Sequence, residues 1–281
     1  MKTFKLYNGV IIPANGFGVY QVEKNVCKES VLMALKAGYR HIDTAQAYFN
    51  EEEVGEAIRE SGIRREELFL TTKVWINQYG EGKTYESVIE SLRKLETDYL
   101  DLILLHQPFG DYYGAYHDLE KLYGEGKVRA IGVSNFYSDR MVDLCQFSKV
   151  RPMVNQIEIN PFFQREEDLV WAKKYDVLLE AWAPFAEGRN QMFVNPVLTK
   201  ISMKHQRSVA QVILRWLYER GIVSLAKSVH EERIRENFDI ESFALDEQDK
   251  KDILSLDENK SCFFSHRDPS VIEWLGNLGR K

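Results

Sequence analysis

Four ionisable side chains stand where three consecutive strand-like segments of the sequence end. Asp43 ends the first segment and Tyr48 follows five residues later, while Lys73 and His106 stand at the ends of the next two. In a parallel barrel, the carboxyl ends of neighbouring strands and the loops after them meet at one rim. A lysine buried there needs a counter-ion because desolvating its charge alone is costly, and Asp43 is placed to supply one. Taken alone, the stretch from Asp43 to Tyr48 is equally compatible with a loop-capping carboxylate and a tyrosine that packs beneath it.

These four groups together have the chemistry to reduce a carbonyl. A tyrosine with a pKa of about 10 donates a proton poorly at neutral pH unless its anion is stabilised. We predict Tyr48 as the acid, with Lys73 and Asp43 as the pair that places a positive charge beside the developing phenolate. A neutral His106 is predicted to orient the carbonyl oxygen. None of these residues carries a hydride, so an organic cofactor must bring one.

Polar and aromatic residues at later strand ends are candidates for holding that cofactor. Ser134, Asn135 and Gln156 could meet a carboxamide edge, and Trp182 offers an aromatic face suited to stacking on a nicotinamide ring. Each also has a simpler interpretation: loop capping for Ser134 and Asn135, and core packing for Trp182.

The last strand runs directly into a helix through a segment that suits phosphate. The loop after the eighth strand of a barrel and the helix that follows commonly bind phosphate groups. Two cations and a hydroxyl exceed what a pyrophosphate requires, which favours a 2′-phosphate and therefore NADP over NAD. A solvated, basic helix start is the alternative. The residues concerned are Lys227, Ser228, Val229, Arg233, Glu236 and Asn237.

Short β-rich runs alternate with amphipathic helices after a predicted N-terminal hairpin, Phe4–Tyr7 with Val10–Pro13 across Asn8-Gly9. The predicted strands are Gly16–Val22, Tyr39–Asp43, Leu68–Val74, Leu100–His106, Val128–Ser134, Met153–Ile159, Val177–Trp182 and Ile222–Ala226. The helices predicted after them are Val26–Ala37, Glu51–Glu60, Thr84–Glu96, Tyr112–Tyr123, Ser138–Phe147, Arg165–Lys174, Val209–Glu219 and Glu231–Phe238, with a further helix at Asp246–Ser255.

Eight β-then-α units without a polar linker predict one α/β domain over residues 1–281, a (β/α)8 TIM barrel. A doubly wound open sheet is the competing fold, and it would carry Gly-x-Gly-x-x-Gly after its first strand. The chain offers only Gly16–Gln21, which lacks the third glycine and falls inside the strand. We therefore reject the open sheet.

Two long connections interrupt the β/α rhythm, at Ala186–Pro196 and in the tail from Asp257 to Lys281. Loops of this length in a compact domain are usually functional or disordered. The tail carries Phe263, Phe264 and Trp274, which favour packing, so we interpret both segments as walls of a pocket. A tail that covers the outside of the barrel is the alternative.

Composition excludes several classes of partner. The net charge of −6 and the pI of about 5.7 argue against a nucleic-acid or anionic membrane surface. No apolar run approaches the roughly 20 residues that span a bilayer, and the first residues are too polar for a signal peptide. Three unclustered cysteines are typical of reduced thiols, so a cytoplasmic protein is expected, and no metal-binding motif is present.

The residues above, in this order, resemble the aldo-keto reductase superfamily over essentially the whole chain. The motifs that carry the resemblance are Gly38–Ala45 with Tyr48, Thr72–Trp75, Leu104–His106, Ile131–Phe136, Asn155–Glu158 and Lys227–Val229 with Arg233, Glu236 and Asn237. Trp182 is similar to the stacking residue of the bacterial 2,5-diketo-gluconate reductase and prostaglandin F synthase-like branches.

The resemblance implies a barrel closed at the bottom by the hairpin, with NADPH extended across its top and C-terminal loops forming the substrate pocket. It implies the tetrad Asp43, Tyr48, Lys73 and His106, with His106 also contacting substrate. Carboxamide contacts are expected from Ser134, Asn135 and Gln156, stacking from Trp182, and 2′-phosphate and adenine contacts from Lys227, Ser228, Val229, Arg233, Glu236 and Asn237. Pocket walls are expected from Tyr20, Trp75, Gln107 and the tail aromatics.

The chain departs from the family pattern at four positions. Ala226 stands where the family often has Pro, and His230 where many members have Thr or another residue. Gln107 occupies a position often filled by Trp, Ser or Phe, and Tyr20 replaces a common Trp, so the resemblance leaves the substrate preference open.

We expect an NADPH-dependent reductase of aldehydes and ketones that acts as a cytoplasmic monomer, without nucleic-acid or membrane partners. Two other functions remain open: a lyase that uses Lys73 or Lys227 as a Schiff-base nucleophile, and a non-catalytic NADP(H)-binding regulatory subunit.

Overall fold

The computed structural model describes residues 2–278, in which eight parallel strands close into a barrel. The strands are β3 (Asn15–Gly18), β4 (His41–Asp43), β5 (Phe69–Val74), β6 (Leu102–Leu105), β7 (Ile131–Ser134), β8 (Val154–Glu158), β9 (Leu178–Trp182) and β10 (Val223–Ala226). Consecutive strands are neighbours, and β10 closes the ring by pairing with β3, where Leu225 lies opposite Gly16. The predicted (β/α)8 barrel is confirmed, and the open sheet is excluded.

Each observed strand is shorter than its predicted run because the run continued into residues that leave the ladder at the barrel ends. The fourth barrel strand, for example, is predicted as Leu100–His106 and is continuous only over Leu102–Leu105, with a separate single bridge between Leu100 and Val128. Side chains alternate along each strand. On β5, Thr71 and Lys73 therefore share one face, and both contact groups inside the barrel, while Thr72 faces the surrounding helices.

The helices surround the barrel and mostly begin and end within two residues of the prediction. They are α1 (Lys24–Ala37), α2 (Glu51–Glu60), α3 (Lys83–Lys94), α4 (Tyr112–Gly124), α5 (Ser138–Phe147), α6 (Glu166–Tyr175), α7 (Pro196–His205), α8 (Val209–Glu219), α9 (Glu231–Phe238), α10 (Glu247–Leu254) and α11 (Pro269–Leu278). Within residues 2–278, none of them combines the length and apolar character needed to cross a bilayer.

The helices α7 and α11 were not predicted. The sequence does contain a start signal for α7, because Asn195 accepts hydrogen bonds from the backbone of Val197 and Leu198, and Pro196 occupies the first turn. Only two apolar residues of this helix, Leu198 and Ile201, are buried, so its periodic signal is weak.

The N-terminal hairpin, β1 (Thr3–Lys5) with β2 (Ile11–Pro13), lies at the bottom of the barrel. Leu6 and Ile12 pack in one buried cluster with Phe69, Leu102 and Val154, which are the first residues of their strands. The hairpin therefore covers the end of the barrel opposite to the strand ends that carry the predicted site.

The tail lies at the other end. Val271 and Leu275 of α11 form a buried cluster with Phe109, and Trp75 packs against it; Phe109 and Trp75 follow the carboxyl ends of their strands. The prediction for this tail runs to Lys281, and residues 279–281 lie outside the described part of the chain. The aromatic tail thus borders the mouth of the barrel.

Candidate active site

The buried pair Lys73–Asp43 lies at the centre of the site. Lys73 is fully buried, and its Nζ donates to Asp43 Oδ1 at 2.6 Å and to the carbonyl oxygen of Thr44 at 2.9 Å. The two residues come from adjacent strands, with Asp43 paired opposite Thr71 in the ladder. Side chains two apart on a strand share a face, so Lys73 lies on the same side of β5 as Thr71 and therefore faces Asp43. The ends of two neighbouring strands form the ion pair in this way.

Tyr48 reaches this pair from a single turn of 3₁₀ helix, Gln46–Tyr48. Its hydroxyl lies 3.3 Å from Lys73 Nζ. Gln46 anchors the turn, since its side-chain oxygen accepts from the backbone N–H of Trp75 at 3.0 Å and its amide donates to Ser91 at 3.1 Å. The turn is therefore tied to β5 and α3, and the phenol is held in place.

His106 completes the group. Its ring lies edge-on to Tyr48 and to Trp75, with centroids 5.6 Å and 5.0 Å away. The backbone of His106 is fixed on both sides, donating to Val74 and accepting from the side-chain amide of Asn135, each at 3.0 Å. The four residues predicted from their strand ends are thus brought together at one rim.

Burial dominates the protonation states. Burial raises the pKa of Tyr48 to about 12, and the charge of Lys73 counteracts part of that effect. Burial lowers the pKa of Lys73, but the charges of Asp43, Tyr48 and Glu180 and the hydrogen bond to Asp43 together raise it above its ordinary value, so the ammonium persists. Burial holds the pKa of His106 well below its usual range, so its imidazole is neutral. The site therefore combines a protonated phenol, an ammonium and a neutral imidazole.

Asp43 is held in its charged form by geometry. Burial raises the pKa of its carboxyl, and the charge of Lys73 opposes this. Each of its oxygens accepts a hydrogen bond, Oδ1 from Lys73 and Oδ2 from Gln156 Nε2 at 3.0 Å. Gln156 is one of the predicted carboxamide contacts, so a hydrogen bond links the predicted cofactor contacts to the predicted catalytic residues.

The other two predicted carboxamide contacts, Ser134 and Asn135, lie on the same rim. Asn135 adopts a left-handed backbone (φ 66°), which Asn tolerates better than most residues. Its amide donates to Ser134 Oγ at 3.2 Å, and its side-chain oxygen accepts from Trp182 Nε1 at 2.8 Å. Hydrogen bonds therefore connect Ser134, Asn135 and the ring of Trp182, which is predicted to stack on the nicotinamide.

Trp182 is half-buried, and its ring lies 5.4 Å from that of Phe263 in the tail. Arg189, in the connection after β9, lies over the Phe263 ring and donates to the carbonyl oxygen of Cys262 at 3.0 Å. The two long connections thus contact each other beside Trp182, as expected for segments that border a pocket.

The predicted phosphate segment is exposed and has unpaired cations. In the described part of the chain, neither Lys227 nor Arg233 forms an ion pair or a hydrogen bond with its side chain. Ser228 Oγ accepts from the backbone of His230 at 3.1 Å, and no side chain caps the first turn of α9. Uncapped backbone N–H groups and two unpaired cationic side chains at the start of α9 are suited to binding an anionic group. Of the remaining predicted contacts, Val229 and Glu236 are exposed and Asn237 is buried.

The predicted pocket walls occupy different depths. Tyr20 is half exposed, with its ring 5.0 Å from that of Tyr48, whereas Gln107 is buried. The side-chain oxygen of Gln107 has no hydrogen-bond partner in residues 2–278. The rings of Tyr20 and Trp75 therefore border Tyr48 and His106, and Gln107 follows His106 in the chain.

Two buried residues inside the barrel were not foreseen, His41 and Glu180. His41 Nε2 lies 3.1 Å from Thr71 Oγ1 and 3.7 Å from a Glu180 oxygen. The signal was present, because His41 precedes Asp43 by two residues and Glu180 precedes Trp182 by two. Residues two apart on a strand share a face.

Comparison with known proteins identifies relatives of the whole barrel. The sequence model of the aldo/keto reductase family matches residues 14–258. Glyoxal reductase from Bacillus subtilis is 48% identical over 260 residues, covering 91% of this chain and 94% of that protein. The crystal structure of an aldo-keto reductase from a Medee basin deep-sea metagenome library superposes with a TM-score of 0.91 at 41% identity, covering 95% and 99% of the two chains. A Bombyx mori aldo-keto reductase in complex with NADP superposes with a TM-score of 0.90 at 32% identity, covering 97% and 96%.

Replacing Asp43 with Asn keeps the shape of the side chain but removes the charge beside Lys73. We expect the free energy of unfolding, measured by urea denaturation, to fall by about 3–5 kcal/mol because an uncompensated charge stays buried. The matched control is Glu60→Gln, which breaks the exposed Lys28–Glu60 pair (3.0 Å) and should leave the free energy almost unchanged. Equal losses in both variants would contradict a special role for the buried pair.

Proposed function

Because this chain belongs to the aldo/keto reductase family, whose activity is NADPH-dependent reduction of aldehydes and ketones, we propose that Tyr48 is its proton donor. The observation that carries the proposal is the position of Lys73 Nζ, 2.6 Å from Asp43 Oδ1 and 3.3 Å from the Tyr48 hydroxyl. A cation there stabilises the phenolate that forms when Tyr48 gives up its proton.

Bound NADPH supplies the hydride that reduces the carbonyl carbon. His106 is neutral and lies at the mouth beside Tyr48, so it can donate a hydrogen bond that orients the carbonyl oxygen. Tyr48 remains protonated in the free site because burial raises its pKa. As negative charge develops on the carbonyl oxygen, the phenol transfers its proton to that oxygen, and Lys73 offsets the charge left on Tyr48.

The chain has residues suited to each part of the cofactor. Ser134, Asn135 and Gln156 would hold the carboxamide, and Trp182 would stack on the nicotinamide ring. Lys227, Ser228 and Arg233 would hold the 2′-phosphate at the start of α9, with Val229, Glu236 and Asn237 beside the adenine. The assignment of the 2′-phosphate is supported by Lys227 and Arg233, whose side chains have no partner within residues 2–278.

We further propose that small 2-oxoaldehydes are substrates. The relative named glyoxal reductase shares 48% of its residues with this chain over the aligned region. Gln107, a polar residue beside His106, has a buried oxygen that lacks a partner among the described residues. An amide at this wall favours a compact substrate that carries a second polar group over a purely apolar one.

Residues 1–281 are proposed to form one domain that acts as a cytoplasmic monomer. Free thiols support a reducing compartment, since Cys27, Cys145 and Cys262 form no disulfide in the described chain.

The two other functions lack support in the geometry. A Schiff-base nucleophile must be an unprotonated amine. Lys73 instead has a pKa raised above its ordinary value by its neighbour Asp43, despite opposing burial. Lys227 is exposed, and its side chain forms no hydrogen bond or ion pair within residues 2–278. No contact in residues 2–278 favours a non-catalytic subunit.

Replacing Tyr48 with Phe removes the proton donor and leaves the ring. We expect kcat for methylglyoxal reduction, followed by NADPH absorbance, to fall by about a hundredfold to ten-thousandfold. The NADPH dissociation constant should stay within about threefold of the wild type. The matched control is Tyr20→Phe, which removes the neighbouring phenol and should keep most of the turnover. Full activity in Tyr48→Phe would refute the assignment.

Replacing Lys227 or Arg233 with Ala should weaken NADPH binding by about tenfold or more, since each cation is proposed to make a charge-assisted contact with the 2′-phosphate. NADH binding should change little, and both constants can be measured by quenching of protein fluorescence. Arg235→Ala is the control, because Arg235 lies on the same helix but is already paired with Glu231 at 2.6 Å. Equal losses for NADPH and NADH would show that these cations do not recognise the 2′-phosphate.

Among small aldehydes assayed at equal concentration, methylglyoxal and glyoxal should give higher kcat/KM than propanal. The advantage should shrink about tenfold in Gln107→Leu, because the amide is lost while the volume is nearly kept. If propanal is the better substrate for the wild type, the proposed substrate class is wrong, although the reductase assignment is unaffected.

A further inference from the structure

The barrel interior contains a second carboxyl group that the proposed chemistry does not use. Glu180 on β9 is fully buried, and neither of its oxygens has a hydrogen-bond partner in the described chain. It pairs in the sheet with Gln156, whose side chain donates to Asp43. Glu180 therefore lies within the layer that supports the site.

Three ionisable groups face Glu180. His41 lies on β4, with its Nε2 3.7 Å from a Glu180 oxygen, and Asp43 lies on the same strand. Lys73 on β5 interacts electrostatically with both carboxyl groups. The adjacent strand β8 presents the amide of Gln156, and β10, Val-Ser-Leu-Ala in sequence, has no titratable side chain.

The number of charges decides which carboxyl keeps a proton. Lys73 is the cation among these groups, because burial lowers the pKa of His41 to about 3 and leaves its ring neutral. One cation balances one carboxylate. Asp43 accepts two hydrogen bonds of 3.0 Å or less that stabilise its ionised form. Glu180 accepts none within hydrogen-bonding geometry, and the amide of Gln156 has only a small effect on its pKa. A buried carboxylate without a well-formed hydrogen bond or a counter-ion of its own is costly, so Glu180 carries the proton.

We propose that Glu180 is a positioning residue of the reductase site, a neutral acid whose ionisation weakens proton donation by Tyr48 through Lys73. This inference rests on the roles proposed above for Tyr48 and Lys73. When Glu180 releases its proton to solvent, a second negative charge competes for Lys73. The phenolate of Tyr48 is then less well stabilised, and proton transfer to the substrate slows.

The raised pKa of Glu180 agrees with a neutral, buried carboxyl group beside Lys73 and Asp43. Burial and the charge of Asp43 raise the pKa of Glu180 to about 8, against the opposing effect of Lys73. The pKa of Tyr48, raised by burial to about 12, lies too high to account for a change in this range. We therefore expect ionisation of Glu180, and not of Tyr48, to lower the rate near pH 8.

The first test follows the pH dependence of single-turnover carbonyl reduction with NADPH bound to the enzyme. The wild-type rate should fall as pH rises past about 8, by up to roughly tenfold per pH unit. Glu180→Gln mimics the neutral acid and should lose this decline while keeping a comparable rate near neutral pH. Glu51→Gln is the matched control, since Glu51 is also buried but bonds Thr72 outside the barrel, and it should retain the decline. Persistence of the decline in Glu180→Gln overturns the proposal.

The second test needs neither cofactor nor turnover. The pKa of an unfolded glutamate is about 4.3, so between that pH and about 8 the folded protein binds one more proton at Glu180 than the unfolded chain. The contribution of Glu180 to stability is therefore present at low pH and lost as pH rises through this range. Relative to wild type, the urea midpoint of Glu180→Gln should increase as pH rises from about 5 to about 8. A constant difference between the two proteins overturns the proposal.

Infrared spectroscopy provides a test that does not depend on the stability of the variant. Near neutral pH, the wild-type minus Glu180→Gln difference spectrum should contain the carbonyl stretch of a protonated carboxylic acid, and its absence overturns the proposal.

The proposal for Glu180 and the proposal for Tyr48 can fail separately. Full activity in Tyr48→Phe removes the proton donor assignment but leaves the infrared and unfolding results for Glu180 intact. An unchanged pH profile in Glu180→Gln, with inactive Tyr48→Phe, removes only the role of Glu180.

Discussion

The ammonium of Lys73, fully buried at the rim of the barrel, is the constraint on which the site depends. Its three donors reach Asp43, the carbonyl oxygen of Thr44 and the Tyr48 hydroxyl, all within 3.3 Å. A cation taken out of water is stable only where such partners surround it. The arrangement of β4, β5 and the turn that carries Tyr48 must therefore be kept, and the proposed proton donor is held beside the charge that tunes it.

Hydrogen bonds connect the proposed cofactor contacts to the proposed catalytic residues. Gln156 donates to Asp43, and Asn135 links Trp182 to the backbone of His106. A bound nicotinamide would thus rest on side chains that also hold the tetrad in place. Preorganised groups of this kind need little rearrangement when charge develops in the transition state. The proposed effect of Glu180 on Tyr48 is electrostatic and acts through Lys73, which interacts with both residues.

The segments around the mouth differ in character from the barrel beneath them. The connection after β9 and the tail meet through Arg189, Cys262 and Phe263, while α11 packs on Phe109. These contacts are made by loops and a short terminal helix, which tolerate sequence change more readily than the strands do. Substrate preference is accordingly expected to depend on these walls and on Gln107, whereas the reduction chemistry depends on the strand ends.

The sequence by itself determined the alternation of strands and helices, the hairpin, and the polar residues at the strand ends, because these features depend on local periodicity and turn chemistry. It also indicated that Asp43, Tyr48, Lys73 and His106 lie together, since barrel geometry places consecutive strand ends at one rim. The periodic signal of α7 and α11 is too weak to predict these helices, because few of their apolar residues are buried. Only the tertiary structure decided that Glu180 lies beside His41, 139 positions away in the chain. Ring closure sets that proximity, and no local pattern encodes which side chains meet across a barrel interior or how their charges are shared.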